Sequence, residues 1–148
     1  SLAARAQPSL DRLSEQCGEH VAIGMLDGDD VITLAASSSP QSRLLAIAVQ
    51  PGQRLPADRT SLGQVLLAFR SAGADAHAER IREQGYALVD GQLETGLRSL
   101  GVPVRDHQGD VVAALSVAVN AARITMEQLE VDFLPALRTT AAQITELT

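Results

Sequence analysis

Residues 94–120 read ETGLRSLGVPVRDHQGDVVAALSVAVN, and the reading of this stretch decides the fold. Two apolar runs flank Asp106-His107-Gln108-Gly109, which suits a type I turn with Asp first and Gly last, so the stretch is a β-hairpin. If Arg105 and Asp110 close the turn, Ser99 is expected opposite Ser116. One face then carries Leu97, Ser99, Gly101 and Pro103 beside Val112, Ala114, Ser116 and Ala118. The other carries Leu100, Val102 and Val104 beside Val111, Leu115 and Val117. A one-residue slip would mix small with large side chains, so this register is the self-consistent one. The bulky face is core. The small face either admits a helix at close range or leaves a cavity with hydroxyls on its floor.

Outward from the hairpin, the rest of the chain supplies a sheet and its helices. Ser9 is expected to cap a short helix in which Leu10 and Leu13 share a face and Gly18 supplies the stop. Residues 20–26 and 31–36 form two strands joined by Asp27-Gly28-Asp29-Asp30. SSSPQS is a loop, and RLLAIAV (43–49) is expected to be a third strand. Thr60 or Ser61 can cap a helix whose Leu62, Val65, Leu66 and Phe69 follow helical spacing. A charged helix near 77–84 is closed by Gly85, and residues 86–89 form a strand before the hairpin. In the last helix Thr125 and Gln128 form a capping box, Leu129, Phe133, Leu137, Ala141 and Ile144 make the buried stripe, and Pro135 is expected to kink it. Hairpins in place of alternating βαβ units mean an α+β fold, a largely antiparallel central sheet flanked by N- and C-terminal helices in the manner of sensor domains.

Composition limits the function. At 148 residues the chain has the length of one domain, and 45% hydrophobic with 2% aromatic residues means an aliphatic core. A net charge of −6 argues against nucleic-acid binding by these residues themselves, which would need a basic face or stacking aromatics. All twelve basic residues are Arg, which reads first as GC-rich coding bias and second as a preference for forked donors. The single Cys17 allows no intrachain disulfide, so a reducing, cytoplasmic location is expected. No apolar run approaches a membrane span and no signal peptide is visible. Ser1 running directly into helix-like sequence is expected to mark a cut within a longer protein.

Candidate chemistry is sparse. Cys17-Gly18-Glu19-His20 has the spacing of half a metal site, but two further ligands at recognisable spacing are not evident, so no metal and no cofactor are expected. Asp27, Asp29 and Asp30 lack the remaining ligands of a calcium loop. The three histidines stand far apart without an acidic orienter, and Glu15 and Glu19 would raise the Cys17 thiol, so neither an acyl-transfer nor a redox enzyme is expected. The segment PADRTSLGQ enters its helix through small residues that leave the first N–H groups accessible, as anion sites do. Were this start to overhang the small face, a carboxylate could accept from Leu62 and Gly63 while Ser99 and Ser116 hold the other end. An ordinary capped helix fits the same residues.

LPADRTSLGQVLLA followed by REQGYALVDGQLETGLRSLGVPVRDHQGDVVAALSVA resembles the effector-binding domain of the IclR family of bacterial transcription regulators, over nearly the entire chain. The segment SRLLAIAVQPGQRLPADRTSLGQVLLA is most like the branch controlling aromatic-acid catabolism through protocatechuate and β-ketoadipate. The resemblance implies a GAF-like sensor fold and an N-terminal winged helix-turn-helix that is absent from these residues. It implies dimers or tetramers whose hold on DNA changes when a small organic acid binds, with no membrane association. It also implies a site. The ligand loop at the helix start falls on Ser61 and Leu62, with Gly63 beside them. The acidic position after Gly-Tyr falls at or beside Asp90, with Val89 in the slot where some members carry the acid. The position that is often Cys falls on Ser99, and of the serine pair on the last strand Ser116 matches while the second is Ala118, with Ala114 before them. The lost hydroxyl and acid imply a larger or more hydrophobic acid than glyoxylate. The segment between LLAF and REQGYA is shorter than the family's usual two-helix insertion, through a deletion or a missing stretch. Two rivals stand beside this reading: a GAF-like sensor of another signalling protein, and a ligandless dimerisation domain.

Overall fold

The computed structural model describes residues 1–42, 50–70 and 75–148. Helix α1 (Leu2–Cys17) leads into the hairpin β1 (His20–Asp27) and β2 (Asp30–Ser37). A three-residue strand β3 (Arg54–Pro56) and a single 3-10 turn (Ala57–Arg59) precede α2 (Ser61–Arg70). Then come α3 (Ala76–Gln84), β4 (Ala87–Asp90), the hairpin β5 (Leu97–Arg105) and β6 (Val111–Asn120), and α4 (Met126–Glu146). The strands form one antiparallel sheet in the order β3-β2-β1-β6-β5-β4. The strand expected over 43–49 lies outside the described residues.

Helices α1 and α4 cover one face of the sheet, where Leu10, Leu13, Leu129, Leu137 and Ile144 meet Ile23, Leu100, Val102, Leu115 and Val117. Helices α2 and α3 cover the other, through Leu62, Val65, Leu66 and Ile81 against Ala22, Val31, Ala87 and Ala114. The aliphatic core expected from the composition is therefore divided by the sheet. The α1–α4 side takes the large hairpin residues and the α2–α3 side the small ones.

Two expectations need correction. Helix α1 is capped by Ser1, whose hydroxyl accepts from Ala4 N–H, and Ser9 lies buried within it. Pro8 ordinarily ends a helix, but the buried stripe of Ala6, Leu10 and Leu13 keeps residues 2–17 in one segment, and Gly18 closes it in the left-handed conformation as expected. In the β5–β6 hairpin Ser99 pairs with Ala118, and Gly101 with Ser116. The offset from the expected register is even, so β5 keeps its faces, but a bulge leaves Val112 without a partner and turns Val111 toward the α2 side. Helix α4 starts on the Thr125–Gln128 capping box, as the sequence reads, and continues as one segment through Pro135.

Candidate functional site

The start of α2 is positioned by Thr60. Its hydroxyl accepts from Gly63 N–H at 3.0 Å and its carbonyl from Gln64 N–H at 2.9 Å. Both of those donors are thereby engaged, so the expected carboxylate contact at Gly63 N–H is not open. A Cβ on Gly63 would lie 2.0 Å from the Ala57 carbonyl oxygen, so glycine there lets α2 seat on the preceding 3-10 turn. A Cβ on Gly101 would lie 2.7 Å from the Ser61 carbonyl oxygen, so α2 also begins almost in contact with β5. The small hairpin face thus admits a helix at close range over Gly101 and Ala114.

One step toward β4 the same face leaves a space. A cavity of about 30 Å³ lies between the α2 start and the sheet, lined by Leu55, Arg59, Thr60, Ser61, Leu62, Val89, Leu93, Leu97, Ser99, Ser116 and Ala118. The two readings of the small residues therefore both hold, at neighbouring positions. Of the residues expected from sequence, the cavity brings together Ser61, Leu62, Val89, Ser99, Ser116 and Ala118. Gly63 points into the 3-10 turn, and Ala114 is buried under the helix. Asp90 is turned away by strand parity: it pairs across the ladder with Arg98, whose Nε donates to its carboxylate at 2.9 Å, while Val89 beside it faces the cavity opposite Ser99. Arg98 also donates to the Ile124 carbonyl, on the α4 side of the sheet.

The lining is apolar in bulk with polar atoms at chosen places. Leu55, Leu62, Val89, Leu93 and Leu97 supply the walls. Ser61 is 1% exposed and Ser116 7%, and neither hydroxyl makes a hydrogen bond to the described protein, nor does that of Ser99. None of the three hydroxyls is fully enclosed, so each is open to a ligand or water that donates to it or accepts from it. Among the described residues Arg59 is the cation in the lining, and no carboxylate lines it. Arg59, Leu93 and Leu55 were not anticipated. Leu55 and Leu93 come from a short strand and a loop brought in by folding, whereas Arg59 had a local signal in its place directly before the cap.

The rim is tied by Gln64, on the first turn of α2 and 7% exposed. Its amide nitrogen donates to the Asp58 carbonyl at 3.1 Å and to Gln92 Oε1 at 3.0 Å, and its Oε1 lies 3.0 Å from His77 Nε2. The residues next to Asp58 and Gln92, namely Arg59 and Leu93, line the cavity. One side chain therefore holds two rim segments and α3 together.

Elsewhere most polar clusters are paired within the protein, although among the described residues the enclosed Glu19 Oε2 and Thr33 Oγ1 have no hydrogen-bond partner. Arg54 bonds Asp27 and Asp30 at the first hairpin. Glu19, its side chain 3% exposed, is ion-paired with Arg123, and burial nonetheless holds its carboxyl above the usual range. Burial likewise raises the Cys17 thiol, and His20 Nδ1 shares a hydrogen bond with Ser38. Among the described residues no group of three or more His, Cys, Asp and Glu is placed to hold a metal. No described helix is long and apolar enough to cross a membrane.

The family described as bacterial transcriptional regulator IclR C-terminal matches residues 1–79 and 75–146. The two matched segments overlap at residues 75–79, where α3 begins. The Pca regulon regulatory protein of Pseudomonas putida is 38% identical over 160 aligned positions, covering 92% of this chain and 55% of that protein. The Pca operon regulatory protein of Acinetobacter baylyi is 31% identical, covering 94% of this chain and 59% of that one. The chain thus spans little more than half the length of these relatives. Among solved structures, a double mutant of the PobR inducer-binding domain from Acinetobacter, in complex with 3-hydroxybenzoic acid, matches with a TM-score of 0.86 at 29% identity over 99% of both chains. The family and these relatives are transcription regulators and not enzymes. The family match and the relatives agree: the chain is a member of the IclR C-terminal family of bacterial transcription regulators, similar to the Pca regulatory proteins.

Proposed function

We propose that this chain is the effector-sensing part of a bacterial, cytoplasmic transcription regulator, and that a small aromatic or dicarboxylic acid binds in the cavity beneath the start of α2. The carrying observation is the set of hydroxyls on Ser61, Ser99 and Ser116, without partners in the described protein, facing one apolar cavity. A ring acid needs several hundred Å³, whereas the cavity holds about 30 Å³, the room of a single water. Binding therefore displaces the rim. The free energy difference between closed and opened rim is what the effector exploits to favour one arrangement of a homodimer or homotetramer over another. DNA is contacted by a winged helix-turn-helix preceding these residues, for which the extra length of the relatives leaves room.

A competing reading, a ligandless dimerisation domain, draws on the same small volume and on the tight seating of α2 at Gly63 and Gly101. Thermal unfolding separates the two. The panel is protocatechuate, 3-hydroxybenzoate, 4-hydroxybenzoate, β-ketoadipate, pyruvate and glyoxylate. An acid at one hundred times its dissociation constant adds about 2.7 kcal/mol, or about 5–10 °C for a domain of this size. At least one ring or six-carbon acid is expected to raise the midpoint by that amount. No shift with any member supports the ligandless reading.

A further inference from the structure

We propose that Arg59 is the specificity-determining residue of the cavity, holding the carboxylate of the bound acid and rejecting neutral analogues of the same shape. The inference rests on the reading of the cavity as an effector site. Its ground is a contrast among the arginines. Arg5, Arg12, Arg54, Arg70, Arg82, Arg98, Arg105, Arg123 and Arg138 each donate to a carbonyl, hydroxyl or carboxylate of the protein. Arg59 and Arg80 make no such bond within the described structure; Arg80 is exposed on α3, whereas Arg59 lines the cavity, and among the described residues no acidic side chain shares that lining. The chain carries a net charge of −6, so a cation left unmatched at a concave apolar site is set against the general field of the protein.

The surroundings fit an anion. Arg59 directly precedes the α2 cap, and Thr60 engages the N–H groups of Gly63 and Gln64 but not those of Ser61 and Leu62. The earliest N–H groups of a ten-residue helix thus stay available beside a guanidinium fork, a pairing suited to a carboxylate. Independently of the helix end, the hydroxyls of the buried residues Ser61 and Ser116 make no hydrogen bond within the described protein, and both residues line the same space. They mark it as built for a polar ligand, with the aliphatic walls for its body. A planar hydroxy-substituted acid would set its carboxylate by Arg59 and the α2 start, and its substituent toward Ser99 and Ser116. Arg59 is exposed and bonded to no protein group, so its removal should leave the empty protein's unfolding midpoint unchanged.

The test is calorimetric titration of the wild-type chain, Arg59→Gln, Arg59→Lys and Ser116→Val. The probes are 3-hydroxybenzoate, 4-hydroxybenzoate and protocatechuate, each with its primary amide. The wild type is expected to prefer at least one acid over its amide by tenfold or more. Arg59→Gln should weaken that acid at least tenfold and the amide less than twofold, with Arg59→Lys intermediate. If Arg59→Gln binds the acid as tightly as the wild type while Ser116→Val does not, the cavity is the effector site and the role of Arg59 is refuted. If Ser116→Val also binds unchanged, or if no probe binds the wild type, both the role of Arg59 and the reading of the cavity for these acids fall together.

Discussion

Ser116 shows how one residue can serve packing and recognition at once. Its partner across the ladder is Gly101, against which the Ser61 carbonyl sits, and its hydroxyl faces the neighbouring cavity. Ser116→Val exchanges the hydroxyl for two methyl groups, one heavy atom more, beside the cavity. It is expected to shift stability by less than about 1.5 kcal/mol while removing the thermal shift produced by the effector, measured by paired melts with and without acid. Glu19 makes a different residue-scale case. Burial raises its carboxyl pKa despite the Arg123 partner, so the native state binds the proton more tightly than the unfolded chain. Stability from this group is then present at low pH and is lost as pH rises from the unfolded carboxylate range through the raised folded value. Glu19→Gln should flatten the pH dependence of urea midpoints in that window, and a slope unchanged from wild type would refute the assignment.

Helix α2 is the element on which the site turns. Two glycines set its seat, and Gly63→Ala places a Cβ against backbone that cannot yield, 2.3 Å from the Ala57 Cα. A loss of about 3 kcal/mol, at the top of the usual overpacking range, is expected in urea unfolding. Gln64 ties the rim, so Gln64→Ala should quicken acid dissociation in stopped-flow displacement, by freeing the segments carrying Arg59 and Leu93. The elements themselves were largely legible in sequence, because caps and periodicity are local: Thr125 with Gln128, Gly18 and Gly85 each ended or began a helix where read. What was not legible came from longer range. The register of β5 and β6 depends on a bulge at Val112, which no local pattern announces. The face assignment survived there because the offset was even, and for the same reason Ser99, Ser116 and Ala118 were still found together. Of the pair Val89 and Asp90, strand parity turns Val89 to the cavity and Asp90 to the other face.

Over the whole molecule, the sheet divides labour. The α1–α4 side holds the large aliphatic core, and the α2–α3 side holds the cavity. Strand β6 joins them, with Leu115 and Val117 on one face and Ser116 and Ala118 on the other. On the proposed function, a displacement of the cavity rim would be passed on through α2 and α3, which pack over the sheet. Light scattering of the chain with and without effector should show a dimer or tetramer whose arrangement, read by small-angle scattering, changes on saturation. The most direct measurement is a crystal structure of the chain grown with the acid that gives the largest thermal shift. The account predicts electron density for the acid between the start of α2 and Ser99–Ser116, a rim opened at Arg59 and Leu93, and a cavity of several hundred Å³. An acid seated elsewhere, over a cavity still closed, would contradict it.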